Sequence, residues 1–451
     1  MTTLPHSYGT LNSQPPEEPN NCPNEHDSEN TTRLSTIQIV ALVAICLTHI
    51  GDAVEIYLPA ILTQEISCDL LLSGTQQGLL SVVFYSFYAA GSFSSGWFAN
   101  KIGRRITIII SLGLSFLVST LAALSHEFCI LLISRAATGV LVGSNYGITN
   151  LYWAEISPTV KIKNLGLLLA SLCFSLGAGY TSLLAYYILH HVGWRTFFVL
   201  CSLPLFLFPL AAFIFYLPET DTYLNSRKYS VSMENGKDDG ANEDLNPDKE
   251  SGASNSLKML IFLLSLTYLV NIAQGWGLIL FVPEVYNKFN KSLGTNVDNC
   301  NAIFGYQYLK MSLISGLGPI GAKLGAYLVQ MFAPLSVSML CSSLVSTISF
   351  VLLATTHGGL ETTDMFMGVI KAAFAYLNLS LWIYMMSTLD GPLKTIAIVI
   401  IDGSSKFGAL FGSAAVAFLP VDTVIVIMSV LGVVQSVAVA FLCLKKTNLS
   451  E

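Results

Sequence analysis

The chain has 451 residues, of which 53% are apolar and only 11% charged, with a formal net charge of −6. A soluble domain carries about a quarter charged residues, whereas here apolar residues come in blocks of about 20, enough to cross a hydrocarbon layer about 30 Å thick. That pattern argues against a soluble enzyme, and the acidic balance offers nucleic acid nothing to hold.

Residues 1–34 are rich in Pro, Asn, Ser, Glu and Thr without periodicity and predict a disordered tail, with no cleavable leader expected. Six apolar blocks follow: Thr36–Leu62, Gln77–Ala99, Ile106–Leu124, Cys129–Ala154, Asn164–Leu189 and Thr196–Tyr216. After a polar stretch at 217–256 come Leu257–Val282, Phe304–Val329, Ala333–Thr355, Met365–Met386, Ile396–Phe418 and Thr423–Leu444, then a tail at 445–451. Twelve spans divided six and six predict an all-α membrane protein of two six-helix bundles, 35–216 and 257–444, joined by a linker at 217–256. Alternate loops hold Lys101, Arg104, Arg105, Lys161, Lys163, Lys394, Lys445 and Lys446, while the others hold little beyond Arg195, Lys288 and Lys291. This bias predicts that both termini and the linker are cytoplasmic.

The segment Gly96-Trp-Phe-Ala-Asn-Lys-Ile-Gly-Arg-Arg105 resembles the loop signature of the major facilitator superfamily, which assigns Gly96, Gly103, Arg104 and Arg105 a conformational role. Asn100 stands where that signature has an acidic residue, which should weaken its charge relay to neighbouring helix ends. Further matches are Arg135-Ala-Ala-Thr-Gly139 with Gly143, Glu155-Ile-Ser-Pro158, Gly193-Trp194-Arg195 and Leu217-Pro-Glu-Thr220. Gly51-Asp-Ala-Val-Glu55 and Trp276-Gly-Leu-Ile-Leu-Phe-Val-Pro-Glu284 look like the synaptic-vesicle-2 proteins and their relatives among the organic cation and anion transporters. The luminal insert of some vesicle members is missing, the second-half loop signature at Gln330–Leu335 has decayed, and Ser175–Tyr180 lacks the proline of drug antiporters. The resemblance implies two bundles rocking about a central cavity, no enzyme activity, no metal or cofactor, and a monomer in the bilayer.

Ionisable groups inside a bilayer cost about 3 kcal/mol or more each, so each needs a reason. His49, Asp52 and Glu55 stand at i, i+3 and i+6 on the first span, at the same depth as Arg135 on the fourth. They read as a proton-coupling group of Asp52, Glu55 and Arg135, or alternatively as a permanent ion pair that fixes packing. The second half carries Lys310, Lys323, Lys371 and Lys406, with Asp402 one turn before Lys406. Ala322-Lys323-Leu324 resembles the organic anion transporters, and Ser405–Ala409 is similar to the family segment whose basic residue marks anion carriers. The resemblance thus implies substrate contacts at Lys406 and Lys323. The alternative is a static bridge to Asp402, with Lys310 and Lys371 reaching outward along their stems.

Tyr146, Tyr180, Trp276 and Tyr384 are candidates to line a cavity around an organic solute, or else pack between helices. Gly139 and Gly143 should permit close helix approach. Asn290-Lys-Ser292 is a glycosylation sequon on a predicted exterior loop, Tyr8–Leu11 fits an endosomal sorting signal, and Cys68 and Cys300 lie on one side with pairing left open. The expected function is secondary transport of a small organic anion or zwitterion, coupled to protons, in an endosomal, lysosomal, other vesicle or plasma membrane. The rivals are a cation carrier using Asp52 and Glu55 as counter-ions, and a transporter-shaped receptor that moves nothing.

Overall fold

In the computed structural model, residues 34–234, 250–292, 305–329, 332, 334–355, 359–389 and 394–447 are described. The first 33 residues, with Tyr8–Leu11, and the end of the C-terminal tail lie outside them, as do Cys300 and half of Gln330–Leu335. Cys68 is disulfide-bonded, while every other cysteine among the described residues is a free thiol.

The helices are α1 (Thr36–Asp69), α2 (Gly74–Ile102), α3 (Arg104–Ala123), α4 (Phe128–Ile156), α5 (Val160–Leu184), α6 (His190–Phe215) and α7 (Asp221–Glu234). They continue with α8 (Glu250–Ser292), α9 (Gly305–Ser312), α10 (Gly318–Val329), α11 (Leu335–Thr355), α12 (Leu360–Thr388), α13 (Lys394–Phe418) and α14 (Val421–Thr447). Local chemistry starts α1 and α2: Ser35 with Gln38, and Ser73 with Gln76, form capping boxes that satisfy the first amides. The fifth and eighth blocks each contain a π-helical turn, at Ala185–Leu189 and Leu313–Leu317, a feature that periodicity does not reveal. The polar stretch 217–256 carries α7 and the first turns of α8, so it is partly helical. α8 has 43 residues, roughly 65 Å, and therefore overshoots a bilayer; Asn290 falls in its last turn, where a loop was expected.

The faces are inverted relative to a soluble bundle. On α3, Thr107, Ser111, Ser115 and Ser119 are buried at four-residue spacing, while Ile106, Ile110, Leu114, Leu117 and Leu121 are exposed. On α11, serines 336, 342, 346 and 349 turn inward and Val337, Leu344, Ile348 and Val351 outward. Small polar side chains hydrogen-bond between helices, and apolar ones meet lipid. Nine stretches among the described residues are long and apolar enough to cross a bilayer, one of them covering both α5 and α6. Among the helices missing from that set, α2 is rich in Gly and Ser and packs against α13.

The described residues from Ser35 onward form one compact unit. The packing repeats: α1 with α5, α2 with α4 and α3 with α6 are matched by α8 with α13, α10 with α12 and α11 with α14. Contact between the halves runs through α2 on α13 and through α5 on the π turn of 313–317. Close approaches need glycine. A Cβ at Gly143 would stand 2.2 Å from the Tyr88 carbonyl, and one at Gly408 would stand 2.0 Å from that of Leu269.

Candidate functional site

Where the halves meet, a cavity of about 40 Å³ is lined by residues of both. Seven helices build it: Tyr88 of α2, Tyr146 of α4 and Phe174 of α5 on one side, and a C-terminal-half wall from α8, α10, α12 and α13 on the other. α8 presents Tyr268, Ile272 and Trp276, α12 presents Phe374, Asn378 and Trp382, and both sets are spaced by four residues, one stripe per helix. This volume holds a few waters, less than an organic solute needs, so the cavity is occluded.

Two ammonium groups enter this aromatic space. Lys406 Nζ pairs with Asp402 Oδ1 at 3.1 Å and lies 5.0 and 4.8 Å from the ring centres of Tyr88 and Tyr146. Asp402 Oδ2 also accepts from Ser92 Oγ at 2.7 Å, across the junction of the halves. Lys323 Nζ donates to the Ser171 carbonyl at 2.6 Å and to Ser175 Oγ at 2.8 Å, with Phe174 at 6.0 Å; it has no carboxylate partner among the described residues. Both lysines are about 5% exposed, so each is a desolvated cation whose surroundings must supply what water does not.

The acidic group of α1 divides. Glu55 is closed: Arg135 Nη1 donates to its Oε2 at 3.0 Å and Nη2 to its backbone oxygen at 2.8 Å, while Ser119 Oγ donates to Oε1 at 2.6 Å. Asp52 has no cation. Asn145 Nδ2 donates to its Oδ1 at 3.2 Å, and its buried Oδ2 makes no hydrogen bond. One turn earlier, His49 Nδ1–H donates to the Ile45 carbonyl and its ring lies 5.0 Å from that of Tyr146 in the cavity wall.

The Major Facilitator Superfamily pattern matches residues 41–413. The chain belongs to that superfamily. It is 24% identical over 289 residues to the putative transporter svop-1 of Caenorhabditis elegans, covering 59% of this chain and 55% of that one. It is 30% identical over 177 residues to the synaptic vesicle 2-related protein of Xenopus laevis, covering 39% and 32%. The chain thus spans only about a third to a half of the length of these relatives. The partially occluded inward-open form of the E. coli xylose transporter XylE superposes with a TM-score of 0.68 at 16% identity, covering 89% of this chain and 97% of that one. This likeness shows the fold.

In this chain the superfamily's loop signature forms a structural lock of contacts between helix ends. Gly103 takes φ +103°, and a Cβ there would meet the Glu219 carboxylate at 2.3 Å. That carboxylate caps α3, accepting from the backbone N–H of Arg104 and Arg105 at 3.0 and 3.1 Å. Arg104 pairs with Glu155 at 3.1 Å, and Arg105 donates to the carbonyls of Phe213 and Ile214 at the end of α6. Gly96 lies within α2, and Asn100 is exposed and outside this network. The lock closes without an acidic residue at 100 because Glu219 and Glu155 supply the negative charge.

Of the residues anticipated from sequence, Lys406, Lys323, Tyr146 and Trp276 line the cavity. Tyr180 is exposed, and Tyr384 is buried but away from the cavity. Lys371 does not reach outward: it is 3% exposed and donates to the Gly275 carbonyl at 2.8 Å. Lys310 pairs with Asp364 at 2.7 Å. Sequence reading passed over Tyr88, Phe174, Tyr268, Asn378 and Trp382. The signal present was the stripe Phe374–Asn378–Trp382, with a polar residue midway along an apolar span.

Proposed function

We propose that the chain is a secondary transporter that carries a small organic anion or zwitterion across a vesicle or plasma membrane by alternating access. The negative end of the solute meets Lys323 and Lys406, and the rings of Tyr88, Tyr146, Trp276 and Trp382 enclose its organic body. The observation that carries this reading is the Lys323 ammonium, buried in an aromatic cavity at the junction of the halves and held only by neutral oxygens. An incoming carboxylate or phosphate would complete it with a charge-assisted hydrogen bond. The Lys406–Asp402 pair beside it can open toward the same anion.

Proton coupling is assigned to Asp52. A proton on its unpartnered oxygen displaces no existing contact, whereas one on Glu55 would disrupt the pair with Arg135. The loop charge bias supports cytoplasmic termini and a cytoplasmic segment 217–256. Reconstituting the full chain in liposomes and screening uptake of anionic, zwitterionic and cationic solutes tests this reading. Uptake confined to solutes with an anionic group is expected. Uptake of cations alone would replace it with the cation carrier, and no uptake of any class would favour the receptor.

A further inference from the structure

Three lysines are buried around the junction of the halves, and Asp402 neutralises one of them. Lys371 lies on α12 one turn before Phe374, so Lys371, Phe374, Asn378 and Trp382 continue a single stripe of which the last three line the cavity. Its ammonium donates to the carbonyl of Gly275, the residue before cavity-lining Trp276, and lies 5.0 Å from the ring centre of Phe374 and 5.6 Å from that of Tyr57. Phe374 alone thus separates Lys371 from the cavity along that stripe. The ring is wedged against Gly275, where a Cβ would stand 2.2 Å from it. Like Lys323, Lys371 has neutral partners only. The remaining buried carboxylate nearby, Asp52, makes no ion pair with either lysine.

We infer that the transported solute carries two negative groups, one held by Lys323 and Lys406 and the second by Lys371 after Phe374 swings aside. This rests on the reading above that the cavity takes an anion, and it adds the valence. The physical ground is charge matching: with the coupling proton on Asp52, the two ammonium groups that have no carboxylate partner are satisfied by two separate anionic groups, not by one. A flexible four-carbon stem lets Lys371 follow its partner once the occluded cavity widens to admit solute.

The test uses the purified full chain and two matched probe series, dicarboxylates of three to six carbons and monocarboxylates of the same lengths, read by equilibrium binding. At least one dicarboxylate should bind about 10- to 100-fold more tightly than its monocarboxylate, the worth of one charge-assisted contact. Lys371→Met, which keeps the apolar stem, should remove that preference while changing monocarboxylate binding less than about threefold; Lys371→Arg should retain most of it. Size-exclusion profile and thermal midpoint report folding, and if Lys371→Met fails to fold, Lys371→Arg and the wild-type preference still decide. Equal binding of the two wild-type series would overturn the second site and leave the anion reading standing. So would a Lys371→Met protein that weakens both series alike, because that is the mark of a packing role. Binding of neither series would overturn the anion reading together with the second site.

Discussion

In the N-terminal half, the buried Arg135 meets Glu55 at both the side chain and the backbone, and Ser119 occupies the other carboxylate oxygen. In the C-terminal half, Lys323 and Lys371 are as deeply buried, but among the described residues they hydrogen-bond only to carbonyl and hydroxyl oxygens. A cation closed by the protein's own carboxylate fixes helices in place. On the proposed reading, a cation left with neutral oxygens meets an outside anion directly, whereas Lys406 must first part from Asp402. The difference separates scaffold from site inside one membrane domain, and mutation can break it.

The largest effect should come from Glu55→Ala. It strands Arg135 without a counter-ion in the interior and should cost about 3–5 kcal/mol of stability, read as thermal unfolding in detergent. Lys323→Met should stay within about 1 kcal/mol, because a desolvated ammonium is exchanged for an apolar stem of similar volume. If both variants unfold alike, the contrast between the halves fails.

Next comes Lys406→Ala, expected to weaken anion binding roughly 10- to 150-fold, equivalent to about 1.5–3 kcal/mol. It also leaves Asp402 with Ser92 as its hydrogen-bond partner, so stability should fall and the added change Asp402→Asn should restore it. Affinity should stay low in the double mutant. Restored affinity would make Lys406 a scaffold residue like Arg135. A smaller functional effect is expected from Asp52→Asn: proton-driven accumulation in liposomes should be lost while solute exchange persists, since the amide still hydrogen-bonds. Accumulation equal to wild type across pH would move coupling elsewhere.

The smallest expected effect lies at the end of α1, beyond the apolar span. Burial pushes the Glu65 carboxyl above its ordinary value. A raised carboxyl favours the folded state when protonated, so its cost is present above the folded-state pKa and disappears as pH falls through it. Glu65→Gln should therefore stabilise the protein slightly at neutral pH and not in acid. A difference independent of pH would point to packing instead.

The helices were legible because span length and apolar blocks state them directly, and the loop signature carried the superfamily. Lys323 and Lys406 were legible as charges within apolar spans and through the family resemblance, while of the four aromatic candidates Tyr146 and Trp276 line the cavity and Tyr180 and Tyr384 do not. The partition of Asp52 from Glu55 was not, since both share a helix face and only the positions of Arg135, Ser119 and Asn145 on other helices distinguish them. Lys371 was misread as reaching outward because its depth depends on Gly275 admitting the Phe374 ring, a long-range fit. The lock was half visible: Gly103, Arg104 and Arg105 were read, but its acidic partners lie 51 and 115 residues beyond Arg104.

The most direct test is a thermal-shift screen of the purified full chain against carboxylates, zwitterions and quaternary ammonium ions, run in parallel on Lys323→Met. Anionic solutes should raise the wild-type midpoint in proportion to affinity, about 2.7 kcal/mol at a hundredfold excess over Kd, and the variant should lose most of that gain with its ligand-free midpoint unchanged. Stabilisation by cations alone, or anion stabilisation that survives in Lys323→Met, would contradict the assignment of Lys323 as the anion contact.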